Sequence, residues 1–191
     1  STSFNLGYIG EKTGAFSYTY SGDMNGDRIS ANDLIYVPKT PTEIRFQPLS
    51  VVSNGVTRVY TEAEQQLAFD SYIKQDSYLR NRRGQYVERN SNILPMLHRI
   101  DLSVTQDFYI KIGGKNNNFQ FRADILNFTN FINKDWGISQ RVTNRNVLSY
   151  SALVNNEPYY KLATQTDAAG NRFLIKDTYQ KNASISDVWQ A

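Results

Sequence analysis

The 191-residue sequence predicts an all-β, antiparallel fold. Three observations carry that expectation. Aromatic residues make up 13% of a chain whose mean hydropathy is −0.54, a combination that favours sheets with two unlike faces. Apolar and polar side chains alternate with a period of two from Ile100 to Ile112, and again from Phe119 to Ile125. Gly- and Asn-rich clusters such as Asn54-Gly55 and Gly113-Gly114 separate strand-like runs at hairpin spacing. No run approaches the ~18 apolar residues of a transmembrane helix, whereas a tilted strand of about 9–11 residues is long enough to cross a bilayer.

The elements follow in order. Residues 2–20 read as strand, turn, strand: Phe4, Leu6 and Tyr8 alternate with polar residues, Gly10 to Gly14 turns, and Phe16, Tyr18 and Tyr20 alternate again. Residues 21–60 are loop-like, with Pro38, Pro41 and Pro48 opposing a central strand. Within them Ser53-Asn54-Gly55-Val56 makes a tight turn between Val51-Val52 and Thr57–Tyr60. One helix is predicted over 61–79, with Thr61 as N-cap, Glu64 closing a capping box, and Leu67, Phe69, Tyr72 and Ile73 at near-helical spacing. Asp76 helps to end it.

A basic, irregular stretch follows, with Arg80, Arg82, Arg83 and Arg89 around Gly84. Residues 98–131 form a long hairpin. Ile100, Leu102, Val104, Phe108, Phe119 and Phe121 share one face, and Arg99, Asp101, Asp107, Arg122 and Asp124 the other. Val147–Val154 and Tyr159–Ala163 are further strands. Asp187 to Ala191 opens one more.

Composition excludes several chemistries. There is no cysteine, so disulfides, thiolate nucleophiles and sulfur-ligated metals are absent. One histidine is too few for His-rich metal sites. With 21 Lys and Arg against 18 Asp and Glu, the net charge of +3 gives no case for nucleic acid. Neither a nucleophile elbow nor a Gly-rich phosphate loop is present, and the chain reads as no enzyme.

One constellation is metal-like. Asp23, Asn25 and Asp27 place oxygen ligands at alternate positions, the Ile29 carbonyl falls at the seventh position, and Asn32 and Asp33 close the loop. Hard oxygen donors favour Ca²⁺ in a structural, bracing role. The pattern departs from an EF-hand, with Gly26 at position 4 rather than 6 and no Glu at position 12. An Asx-rich turn without metal explains the same residues. Other readings are weaker. His98 with Asp101 is a conceivable acid–base pair, but a polar residue at a strand entrance explains it as well. Asp101, Asp107 and Asp124 suggest paired carboxylates, with a charge-laced face as the plainer account. The arginines of 80–89, near Tyr78 and Tyr86, suggest a grip on phosphate or single strands, with an extracellular or lumen-lining patch as the plainer account.

The segment Tyr18-Thr19-Tyr20-Ser21-Gly22-Asp23-Met24-Asn25-Gly26-Asp27, then Asn32-Asp33-Leu34-Ile35-Tyr36-Val37-Pro38, resembles the C-terminal part of TonB-dependent outer-membrane receptors of the Oar-like and SusC-like kind. Glu64-Gln65-Gln66, Tyr78-Leu79-Arg80-Asn81-Arg82-Arg83-Gly84, His98-Arg99-Ile100-Asp101-Leu102-Ser103, Asp124-Ile125-Leu126-Asn127-Phe128 and Asp135-Trp136-Gly137 follow in the family's order.

The resemblance implies an antiparallel transmembrane β-barrel fragment with a long extracellular loop containing one short helix. Residues 1–20 would be barrel strands, 21–97 the extracellular loop region with its helix near 61–79, and 98–131 a barrel hairpin. Residues 132–191 would be further strands and loops, with the closing strand absent. It implies part of a nutrient importer in the bacterial outer membrane. The implied partners are the remainder of the receptor barrel and its plug, TonB through a missing N-terminal region, a surface lipoprotein and outer-membrane lipid. Two rival functions remain beside it: a soluble, calcium-braced cell-surface binding module, and an acid-based hydrolase.

Overall fold

A computed structural model describes residues 1–182 and 188–190, and the chain divides into two units. The first comprises Ser1–Thr13, Leu94–Arg141 and Lys181–Ala191, the second Gly14–Ile93 and Val142–Gln180.

The first unit is built on an antiparallel sheet of three strands, Thr2–Lys12, Met96–Ile112 and Lys115–Ile125, with the long strand in the middle. The expected hairpin forms. Its turn is tight: only Gly113 and Gly114 lie outside the strands, both with positive φ (57° and 80°), which glycine adopts without strain. The first strand does not fold back on residues 15–20. It pairs with the long strand, where Phe4 faces Val104 and Leu6 faces Leu102, so apolar cross-strand neighbours set the register.

The last strand stops at Ile125 rather than running to Phe131. Asn127 takes a left-handed conformation (φ 53°) and starts the short helix Phe128–Ile132. Its amide donates to Asp101 Oδ1 at 2.7 Å and its side chain to the Gly137 carbonyl at 2.8 Å. A Cβ at Gly137 would overlap that side chain, so this position demands glycine. Of the predicted terminal strand, Asp187 and Ala191 lie outside the described residues. Gln190 makes an antiparallel bridge to Leu126.

This sheet is open. Thr2–Lys12 and Lys115–Ile125 are its edges, and Phe4, Phe119 and Phe121 stand 72%, 54% and 63% exposed on one face. The expected transmembrane β-barrel fragment is therefore corrected. A barrel requires every strand to have two neighbours, and the described strands fall into separate sheets of two to four strands, none closed on itself. Among the described residues no helix is long and apolar enough to cross a membrane.

The second unit mixes helix and strand. Its main sheet has four strands in the order Tyr20–Ser21, Leu148–Val154, Glu157–Leu162 and Arg45–Phe46. The central pair is an antiparallel hairpin, and both outer strands run parallel to their neighbours. The all-antiparallel expectation fails here because each outer strand is only two residues long and arrives by a distant connection rather than a hairpin.

Against this sheet lies the helix Glu62–Gln75. Both capping-box bonds are present: Glu64 N–H donates to Thr61 Oγ1 (3.3 Å), and Thr61 N–H to Glu64 Oε2 (2.8 Å). The helix ends earlier than the predicted residue 79, at the Asp76 cap, whose carboxylate accepts from the amides of Tyr78 and Leu79. Phe69, Tyr72 and Ile73 are buried as their spacing predicts, but Leu67 is exposed. Gln65 is buried instead. It donates to the Gln47 carbonyl (2.7 Å) and accepts from the Leu162 amide (3.1 Å), tying the helix to two chain segments. Tyr18, Ile35, Phe46, Phe69, Tyr72, Leu79 and Leu148 complete the core, at about 1.5–3 kcal/mol per large apolar side chain.

Candidate functional site

The Asp23–Asp33 loop sits on two paired stems. Thr19 and Leu34 form an antiparallel bridge, and Tyr20 N–H donates to the Asp33 carbonyl at 2.8 Å. Inside the loop the carboxylates turn toward backbone amides. Asp23 accepts from the amides of Gly26 and Arg28, both at 2.7 Å. Asp27 accepts from the Ile29 amide (2.7 Å) and from the side-chain amides of Asn25 and Asn32. Asp33 accepts from the Met24 amide at 2.7 Å. The Ile29 amide bond, followed by those from Asn32 and Asn25, holds the Asp27 carboxyl below the usual carboxylate range. Arg28, at the sixth position where an EF-hand carries glycine, has a φ of 68°.

All six predicted residues thus belong to one compact loop. Its donor set fits a hard cation in two respects: every side-chain donor is oxygen, and Asn32 Oδ1 is a buried acceptor with no hydrogen-bond partner. Among the described residues no three His, Cys, Asp or Glu side chains gather closely enough to hold a metal by themselves. A cation here would therefore rely on Asn25, Asn32 and the Ile29 carbonyl beside the acids.

The loop's stems lead into a cleft of about 530 Å³ that the sequence did not disclose. Tyr20 and Tyr36 come from the two stems, Tyr86 from the strand paired with Tyr36, Tyr160 from the main sheet one strand removed from Tyr20, and Arg45, Glu43 and Glu157 from its rim. Tyr36 pairs in register with Tyr86, their rings 5.4 Å apart and tilted by 59°. Tyr20 and Tyr160 stack at 5.4 Å. The Tyr36 amide donates to the Tyr20 hydroxyl at 3.2 Å, and the Tyr36 hydroxyl donates to Glu43 at 2.9 Å. Burial pushes the Tyr20 and Tyr160 phenols up, so both stay protonated at neutral pH. Arg45 binds Glu62 at 2.6 Å, reaches Glu157 at 3.5 Å and lies 5.1 Å over the Tyr159 ring. The bond from Arg45 holds the Glu62 carboxyl low. No sequence signal finds this cleft beyond the number of tyrosines, because its walls come from segments more than a hundred residues apart.

Of the other candidates, Asp101, Arg122 and Asp124 line one open pocket of about 620 Å³ on the three-stranded sheet, with Asn5 and Ser103 beside them. His98 Nδ1 lies 2.7 Å from the Tyr8 hydroxyl, its diagonal neighbour across the strand pair. Asp101 accepts from the Asn127 amide and lies 3.5 Å from Arg99. Asp107 binds Ser1 and Gln120, and Asp124 pairs with Arg122 at 3.0 Å. Each has a local partner within an open sheet rather than a place in a barrel lumen. Of the basic stretch, Arg83 binds Asp70 at 2.5 Å, and Arg82 binds Glu88 at 2.8 Å over the Tyr78 ring.

No protein-family model matches this chain, and no curated protein or solved structure is significantly similar to it. With an open sheet and no matching relative, the resemblance to TonB-dependent receptors is not sustained. The expected nutrient import falls with it, as do the bacterial outer-membrane location and the partners drawn from that family: barrel remainder and plug, TonB, surface lipoprotein and outer-membrane lipid. The short motifs that carried the resemblance are strand, turn and capping signals, which any fold can reuse.

Proposed function

We propose that the chain is a calcium-braced binding module, in which the Asp23–Asp33 loop holds Ca²⁺ and the tyrosine cleft takes the ligand. One observation carries this reading: the loop's two stems are themselves a wall of the cleft. Tyr20 and Tyr36 flank the loop and touch through the Tyr36 amide and Tyr20 hydroxyl. Bracing the loop therefore fixes the spacing of the cleft's aromatic groups, the kind of pre-organisation that lowers the cost of binding. The donors would be Asp23, Asn25, Asp27, Asn32, Asp33 and the Ile29 carbonyl. The ion would neutralise the acids and cross-link the loop, with no part in a reaction. Nothing in this reading requires catalysis.

Melting of the whole chain after dialysis against EGTA, followed by titration with Ca²⁺ or Mg²⁺, tests the proposal. Binding to the folded chain alone adds about 2.7 kcal/mol once the ion stands ~100-fold above its Kd. For a chain of this size that raises Tm by roughly 5–10 °C. Asp27→Asn should flatten the response. A Tm indifferent to Ca²⁺ would refute the reading.

A further inference from the structure

We propose that the cleft's ligand is a neutral carbohydrate, stacked by a pyranose ring on Tyr86 and hydrogen-bonded by the Glu157, Glu43 and Arg45 rim. This rests on the cleft being the module's binding site. A pyranose has one face rich in C–H groups and an edge of hydroxyls, each both donor and acceptor. It is best held by an exposed aromatic face beside planar polar side chains. Tyr86 is 65% exposed, the most open ring in the cleft, and Tyr36 backs it at a 59° tilt. A ligand on the free face of Tyr86 thus meets a ring whose own position is fixed by the Tyr36–Tyr86 strand pair.

The charges oppose an anionic ligand, because Glu43, Glu62 and Glu157 outnumber Arg45. Glu43 accepts from the Tyr36 hydroxyl and the Lys39 amide, while Arg45 already faces Glu62 and Glu157. Arg45 is matched twice over, Glu43 is held by neutral donors, and every carboxylate oxygen keeps lone-pair capacity for a sugar hydroxyl. A quaternary ammonium is the natural rival for a tyrosine-lined cleft. It needs aromatic walls standing apart around the cation. Here the rings touch in pairs, Tyr36 with Tyr86 and Tyr20 with Tyr160, each at 5.4 Å. That leaves outer faces for stacking rather than a gap for a cation. A cavity of about 530 Å³ is within the usual range for small ligands.

The test is saturation-transfer NMR on the whole chain in Ca²⁺ buffer, with cellobiose, maltose, diacetylchitobiose and tetramethylammonium as separate probes. At least one disaccharide should bind with a Kd at or below ~10 mM. Tyr86→Ala should weaken it about tenfold, and Tyr86→Trp should retain it. Circular dichroism checks that both variants stay folded, as the ring's exposure leads one to expect. Binding of tetramethylammonium without any disaccharide would overturn the carbohydrate assignment while leaving a binding cleft in place. Silence from all four probes would overturn it too. The module itself stands or falls separately, on the Ca²⁺ dependence of melting. Sugar binding undiminished in Tyr86→Ala would remove the site from this cleft.

Discussion

Removing the Asp76 carboxylate should be among the costliest single changes in the second unit. Asp76 is 2% exposed and accepts four hydrogen bonds. Oδ1 takes the amides of Tyr78 and Leu79, both at 2.9 Å, and Oδ2 takes Tyr18 Oη at 2.5 Å and Thr178 Oγ1 at 3.1 Å. In Asp76→Ala the two hydroxyls keep other partners, Tyr72 Oη at 3.0 Å and Gln75 Nε2 at 2.6 Å. The two amides lose their side-chain acceptor. A buried donor left unsatisfied costs about 1–3 kcal/mol, so the amides alone set a range of about 2–6 kcal/mol. Relief of the carboxylate's own desolvation offsets part of this, and about 3 kcal/mol is the expected loss. Asp76→Asn keeps an oxygen for the amides and disturbs only the Oδ2 side, where Tyr18 and Thr178 donate, for about 1–2 kcal/mol. Urea unfolding followed by far-ultraviolet circular dichroism reads both. Asp76→Ala within 1 kcal/mol of the parent, or Asn as costly as Ala, would refute the reasoning; either result would mean the amides do not depend on this side chain. Tyr18 lies two residues before Tyr20 and its carbonyl accepts from Ile35 N–H, so the same node anchors the cleft's stem.

Three further outcomes are expected. Thr61→Ala removes the acceptor for the Glu64 amide and should lower stability by about 1 kcal/mol in urea unfolding, with the helix content of the folded state unchanged. Burial pushes the phenols of Tyr18, Tyr20 and Tyr72 well above their ordinary value, so their contribution is complete below pH 10.0 and is lost as pH rises beyond it. Tyrosinate absorbance should therefore show these three ionising only in a cooperative step with unfolding, and smooth titration of all thirteen would contradict their burial. Phe121→Ser, at a ring 63% exposed on the open sheet, should cost no more than about 1 kcal/mol in the same unfolding assay. A loss of 3 kcal/mol or more would mean the face is covered.

Local chemistry was legible in the sequence where one or two residues decide it. The capping box needs only Thr61 and Glu64, and both of its bonds form. Gly113-Gly114 and Asn54-Gly55 dictate tight turns because few other residues take two successive positive φ angles. The Asp23–Asp33 run folds as a self-bonded loop because Asp and Asn side chains reach amides two to five residues on. What stayed hidden depends on distant partners. Nothing near Tyr36 specifies Tyr86, and nothing near Arg45 specifies Tyr159, yet these pairings make the cleft. Leu67 has the spacing of a buried residue and Gln65 the polarity of an exposed one, yet the reverse holds, because a buried amide becomes favourable only where the Gln47 carbonyl and Leu162 amide wait for it.

The barrel expectation failed for a reason rooted in what side-chain patterns encode. A period of two reports that a strand has two unlike faces, and residues 98–125 do have them: Phe108 faces Phe119 on one side, and Asp107 faces Gln120 on the other. Closure is decided at the edges, where the free N–H and C=O groups belong to the backbone and are nearly the same for every residue. Alternation is therefore equally compatible with a closed wall and with a three-stranded sheet whose outer strands have one neighbour each. The same distinction explains why the motifs of a large receptor family could be matched piece by piece. Turn, cap and alternation signals constrain segments of about ten residues. The strand order and the packing of the second unit's helix are set by contacts that those signals do not describe.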